Sequence, residues 1–155
     1  MRYTFTIPSV PPSLNEWKRM SMFPAARAQK AWQAEAWAVL NEKGNRAPRG
    51  CSHITLRSVL TFAHNRRHDP TNYGSVLYKW LTDVLVREGV IPDDTQEYVA
   101  CIEPVIIVGT SEHTFLTMEY CKSCPGEVVS LQVEEPPRAC DSGGVATPSK
   151  RGVHV

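Results

Sequence analysis

Between Arg66 and Gln96 the chain reads RRHDPTNYGSVLYKWLTDVLVREGVIPDDTQ, which sets acidic residues on both sides of an amphipathic helical pattern. Asp69 precedes the pattern, Asp83 lies within it, and Asp93 and Asp94 follow it. Carboxylates held close together repel one another and are costly to keep ionised unless a hard cation such as Mg²⁺ neutralises them. The arrangement therefore points to a divalent-metal site. Each member also has a plain structural role. Asp69 before Pro70 is a helix cap, Asp93 and Asp94 after Pro92 fit a turn, and Lys79 with Asp83 is an i,i+4 surface pair. Their combination around one helix favours the chemical reading.

The elements that must position these side chains follow from the hydrophobic periods. Residues 2–8 read as a strand with Tyr3, Phe5 and Ile7 on one face. Pro8, Pro11 and Pro12 end it, and Ser13 to Met20, which includes Asn15, is expected to be a loop or short turn. From about 24 to 43 the chain is Ala-rich and helical, with Ala28, Trp32, Ala36, Val39 and Leu40 on one side and Gly44 as the stop. Residues 53–63 form a second strand. The second helix, about 71–88, starts at Asp69-Pro70, buries Val76, Leu77, Trp80, Leu81, Val84 and Leu85, and ends at Gly89. Lys79, Asp83 and Arg87 share its polar stripe. Two closing strands, 98–108 and 113–121, meet at the turn Gly109-Thr110-Ser111-Glu112. The order β-α-β-α-β-β predicts an α/β (α+β) domain over 1–124, a small mixed sheet with two helices packed on it. Residues 125–155 read as a disordered tail, with VVSLQV as a short extra strand in the other reading.

The chain has 155 residues, 42% of them hydrophobic, enough for one domain with a buried core. No apolar run approaches the ~20 residues needed to span a bilayer. The start, MRYTFTIPSVPP, alternates like a strand and lacks a signal peptide's apolar block, so a soluble cytoplasmic protein without membrane contact is expected. A formal charge of +1 hides an asymmetry: residues 1–67 carry eleven Lys/Arg against three Glu, whereas residues 68–124 carry three Lys/Arg against nine acids. A basic half suited to phosphates beside an acidic half suited to a cation is the division of labour a nuclease requires, unless the two mix on one solvated surface. Cys51, Cys101, Cys121, Cys124 and Cys140 are expected as free thiols. Cys121 and Cys124 form a C-x-x-C, but zinc would need two more ligands, and only Cys140 and His154 lie nearby, at irregular spacing.

The run from HDPTN through Lys79 and Asp83 to GVIPDDTQ, preceded by PPSLN near the N-terminus, resembles the RusA family of Holliday junction resolvases, Mg²⁺-dependent endonucleases of phages and prophages. The resemblance covers about residues 3 to 120. It implies that Asp69 is the first catalytic acid, Asn72 its companion amide, Lys79 the active-site lysine and Asp94 the final catalytic acid beside Asp93, with Asp83 as the helical acid. Two departures stand out. Thr71 occupies the position where the family commonly has a second acid, which removes one charged ligand. The interval from Asn72 to Lys79 is also about one turn longer than in shorter members, which keeps the facing direction but shifts Lys79 by ~5 Å.

The implied activity is hydrolysis of DNA phosphodiesters, with Mg²⁺ (or Mn²⁺) held by Asp69 and Asp94, assisted by Asp93 or Asn72, and Lys79 stabilising transition-state charge. Arg66, Arg67, Lys18, Arg19 and Arg27 are the candidate DNA-binding residues, against a bland reading as solvated surface. Asn15 either lines the site or fixes a loop, and His64 and His68 are assigned plain polar roles. A helix over 71–88 is roughly 25 Å long, so Asp69 and the paired acids start at opposite ends. A symmetric homodimer with antiparallel helices would bring Asp94 of one protomer beside Asp69 of its partner. Two other readings compete: a branched-DNA-binding protein with weak or lost catalysis, suggested by Thr71, and a Mg²⁺-dependent nucleotide pyrophosphohydrolase. The latter class usually draws several Glu from paired helices, unlike the Asp set here.

Overall fold

Tyr3, Phe5 and Ile7 alternate with Arg2, Thr4 and Thr6, and this period of two makes β1 (Arg2–Ile7), whose burial alternates residue by residue. It opens a computed structural model that describes residues 1–122. Cys124, Cys140, His154, the 125–155 tail and its VVSLQV stretch lie outside the described residues.

The segment expected as a loop is a helix, α1 (Leu14–Arg19). Ser13 Oγ accepts the Glu16 N–H at 3.3 Å, and the Glu16 carboxylate accepts the Ser13 N–H at 2.8 Å. This reciprocal capping box satisfies two amide donors and lets a six-residue helix form just after two prolines. A two-residue corner leads into α2 (Met22–Leu40), which buries Trp32, Ala36 and Leu40 and keeps Ala28 and Val39 partly buried. It ends at Asn41, short of Gly44.

The central strand is β2 (Cys51–Phe62), followed by α3 (Pro70–Arg87). Helix α3 buries Val76, Leu77, Trp80, Leu81, Val84 and Leu85 as its period requires, together with Tyr73 and Tyr78. Its C-terminal turn closes at Gly89, whose φ of +68° suits glycine better than any residue with a Cβ. After α3 come β3 (Val99–Cys101), β4 (Val105–Val108) and β5 (His113–Lys122).

The sheet is mixed, in the order β1-β5-β2-β3, with β4 also on β2. Strand β5 runs antiparallel between β1 and β2, while β3 and β4 pair parallel with successive parts of β2, at Ile54–Leu56 and Val59–Phe62. The single strand expected over 98–108 is therefore broken around Ile102–Pro104, where proline offers no N–H to a ladder. Because β4 and β5 flank β2 on opposite sides, the Gly109–Glu112 turn crosses the end of β2 and closes no two-stranded hairpin. The parallel β2/β3 pairing needs a crossover, and α3 supplies it. The fold is thus mixed α and β, with three helices among the described residues, one more than the period pattern revealed. Ile54, Leu56, Leu60, Leu116 and Met118 of the sheet join the buried residues of α2 and α3 in one cluster.

Trp80 of α3 anchors α1 and α2. The Trp17 ring of α1 meets it edge-on at 6.0 Å, and the Trp32 ring of α2 lies 6.1 Å away. Among the described residues no helix is long and apolar enough to cross a membrane.

Candidate functional site

The cap at the start of α3 is built as the sequence suggests, and it does more than cap. Asp69 Oδ1 accepts the Thr71 N–H at 3.1 Å, and Oδ2 accepts a hydrogen from the Asn72 amide at 2.9 Å. Asn72 therefore fixes the orientation of an exposed carboxylate. Ten residues on, Lys79 lies between two acids: its Nζ is 2.7 Å from Asp94 Oδ2 and 3.0 Å from Asp83 Oδ1. Asp93 joins this group, because its Oδ1 accepts the Asp94 N–H at 2.8 Å.

Asp94 reaches Lys79 because the chain doubles back after Gly89. Val90 donates to the Leu85 carbonyl at 2.9 Å, and the Val90 and Ile91 side chains are both about 1% exposed, so burial pulls the segment against the flank of α3. Asp94 thereby returns to the middle of the helix, beside Lys79, and does not reach Asp69. Asp69 is still ten residues from Lys79, a rise of about 15 Å along the axis. One chain thus presents two separate clusters, Asp69 with Asn72, and Lys79 with Asp83, Asp93 and Asp94. Among the described residues no three His, Cys, Asp or Glu side chains converge on one point.

The electrostatics of the second cluster are set by the lysine. The hydrogen bonds Lys79 donates, to Asp94 first and Asp83 second, raise its pKa above the ordinary 10.5, so it is a permanent cation at neutral pH. The same contact holds the Asp94 carboxyl below its ordinary 3.8. An ammonium has three donors, and these two acids occupy two of them, leaving one for an incoming anion. A groove of about 560 Å³ opens beside the pair, lined by Tyr78, Thr82, Gln96, Val99 and Cys101. Although Cys101 is exposed, partial desolvation raises its thiol to about 11, so it stays neutral at pH 7.

Several contributors come from partners distant in sequence. Glu103, in the β3–β4 connection, accepts the Thr71 hydroxyl hydrogen at 2.7 Å, which places a carboxylate beside the start of α3. That connection is held in two ways. Gly74 lets Pro104 lie against the helix, since a Cβ at Gly74 would come within 3.0 Å of Pro104 Cδ and 3.2 Å of its Cγ. The Tyr78 hydroxyl donates to the Ile102 carbonyl and lies 2.9 Å from Ser58 Oγ, while burial raises its pKa to about 12. Gln33 of α2 donates to the Trp80 carbonyl at 3.1 Å and lies 3.5 Å from Asp83 Oδ2. No local pattern announces these pairs, apart from a glycine tolerated inside α3.

A second hollow, of about 220 Å³, lies beside the Pro11-Pro12 segment and is lined by Glu16, His64, Arg66, His68 and Tyr73. His68, assigned a plain polar role from the sequence, is packed instead: its ring stacks on Phe62 at 3.8 Å and its Nδ1 lies 3.1 Å from the Tyr73 hydroxyl. Arg67, Lys18, Arg19 and Arg27 are exposed, and neither they nor Arg66 forms an ion pair among the described residues. Asn15 is exposed at the second position of α1, and the work of fixing that turn falls to Ser13 and Glu16.

No protein-family model matches the chain, and no curated protein is similar to it at a significant level.

Proposed function

We propose that the chain is a divalent-metal-dependent endonuclease that resolves four-way DNA junctions, as the RusA resemblance implies. The observation that carries this reading is Lys79, a permanent cation with one donor free, beside Asp83, Asp93 and Asp94 at the mouth of an open groove. The donor set suits Mg²⁺ or Mn²⁺: all its members are hard carboxylate oxygens. Mg²⁺ commonly binds through only one or two protein carboxylates, completing its shell with water and substrate phosphate. Asp94 with Asp93 would hold it at one cluster and Asp69 at the other. When bound, the cation supplies Lewis acidity toward the scissile phosphate.

The remaining steps belong to the chain. Asn72 keeps Asp69 oriented for that role. Lys79 uses its free donor on a phosphate oxygen, and its charge offsets the extra negative charge of the pentavalent transition state. It does not act as a base, because its carboxylate neighbours keep it protonated. Glu103, tethered by Thr71, returns a carboxylate to the neighbourhood where the resemblance leaves one missing. In a homodimer with α3 helices antiparallel, the two clusters complete one another across the two-fold axis, giving the paired nicks that a junction requires.

The test is nicking of a synthetic four-way junction by the full chain, with Mg²⁺ and with EDTA. Symmetric nicks that vanish in EDTA support the proposal. Junctions that are bound but left intact in Mg²⁺ and in Mn²⁺ establish the binding-protein reading instead. Loss of at least about a hundredfold in nicking on Lys79→Met, with binding retained, is the expected signature of transition-state stabilisation.

A further inference from the structure

The corner between α1 and α2 exposes its largest apolar side chains. Met22 is 75% exposed and Phe23 77% exposed, at the first two positions of α2. Single exposed apolar residues are ordinary, but two adjacent ones this open beside unpaired cations form a tip that a partner can cover. From Trp17 to Ala34 the sequence contains no acid but carries Lys18, Arg19, Arg27 and Lys30. None of these four forms an ion pair among the described residues. The nearest following acid, Glu35, accepts a hydrogen bond from Ser9. The surface therefore combines an apolar tip with unneutralised positive charge, which complements a polyanion with an apolar interior.

The corner is also short and braced from behind. Ser13 and Glu16 lock the start of α1, and only Met20 and Ser21 separate the two helices. Trp17 and Trp32, one from each helix, pack on Trp80, the residue after Lys79. The tip and the Lys79 cluster are thus carried by one scaffold, and little ordering entropy is lost when the tip enters a partner.

We propose that Phe23, with Met22, is a wedge that inserts between bases at the branch point of the DNA, while Lys18, Arg19, Arg27 and Lys30 grip the flanking phosphates. The proposal rests on the junction-nuclease reading above. Proteins that kink duplexes insert side chains of these types between base steps, and unstacking costs least where pairing is already interrupted. A branch point provides that interruption.

The test uses the full chain in EDTA, with a four-way junction carrying 2-aminopurine at the crossover and a linear duplex carrying the same base. For the wild type the junction fluorescence changes on binding and that of the duplex does not. Met22→Ala/Phe23→Ala abolishes the change and weakens junction binding about tenfold, the scale of one lost base–aromatic stack, while duplex affinity stays within about twofold. Phe23→Trp restores both readouts. Both positions are exposed, so these variants keep the fold. A double variant that retains the signal and the affinity overturns the wedge but leaves the nuclease reading intact. So does an equal loss on junction and duplex, or Phe23-dependent binding to phosphatidylserine vesicles with the junction signal unaffected. A chain that neither binds nor cuts branched DNA overturns both.

Discussion

Tyr78→Phe removes a single oxygen and tests whether the β3–β4 connection is held in place for the site. The hydroxyl serves two partners, the Ile102 carbonyl and Ser58 Oγ at 2.9 Å. Their situations differ. Ser58 is buried and loses its partner outright, whereas Ile102 is exposed and its carbonyl can turn to water. An abandoned buried polar group costs about 1–3 kcal/mol and a replaced solvent-facing bond much less, so the loss should be about 2 kcal/mol. For a chain of this size that lowers Tm by about 6 °C. Urea denaturation gives the free energy, and junction nicking in Mg²⁺ at a temperature well below the transition gives the functional effect. A freed connection also releases Glu103 from Thr71, so under the proposed nuclease function nicking should fall several-fold beyond any loss of folded protein. A stability change below about 0.5 kcal/mol would refute the hydrogen-bond argument. A full stability loss with unaltered nicking would refute the claim that the connection serves the site.

Three further outcomes follow from the same geometry. Asp94→Asn should let the Lys79 pKa fall back toward 10.5, because Asp94 is the largest influence raising it, and NMR titration of the lysine side-chain carbons measures the shift. In the unsubstituted chain the Asp94 carboxyl titrates below 3.8, so its stabilising contact with Lys79 is fully present above that pH and is lost as acidification passes the lowered value; a contact already lost at pH 5 contradicts this. Gly74→Ala should gain about 1 kcal/mol of helix propensity and lose more than that where the new Cβ meets the Pro104 ring at 3.0 Å, giving a small net destabilisation and reduced nicking. A net gain in denaturation experiments would show that Pro104 yields freely.

Local physics made much of this architecture readable from the chain itself. The alternation of Tyr3, Phe5 and Ile7 located β1, and Asp69-Pro70 with its apolar period located α3 to within a residue. Helix α1 escaped because six residues are too few to show a period, and its real signal, Ser13 with Glu16 three residues later, sat among prolines that suggested a loop. The division of 98–108 escaped because strand propensity continues across Pro104, while the pairing partner, β2, is about 45 residues away. In the site, the Lys79–Asp83 contact is local and was visible as an i,i+4 pair. The return of Asp94 was not, since it depends on where Val90 and Ile91 find burial. Nor was the Thr71–Glu103 bond, which joins residues 32 apart.

The tryptophan arrangement gives this molecule a built-in optical gauge. Of its four tryptophans, Trp17, Trp32 and Trp80 lie in one aromatic cluster whose hub directly follows Lys79 in the chain. Their emission and near-ultraviolet dichroism are governed by the spacing of those rings. Any movement of the first two helices relative to the third alters that spacing, and so the light the cluster emits follows how firmly the charged groups are held.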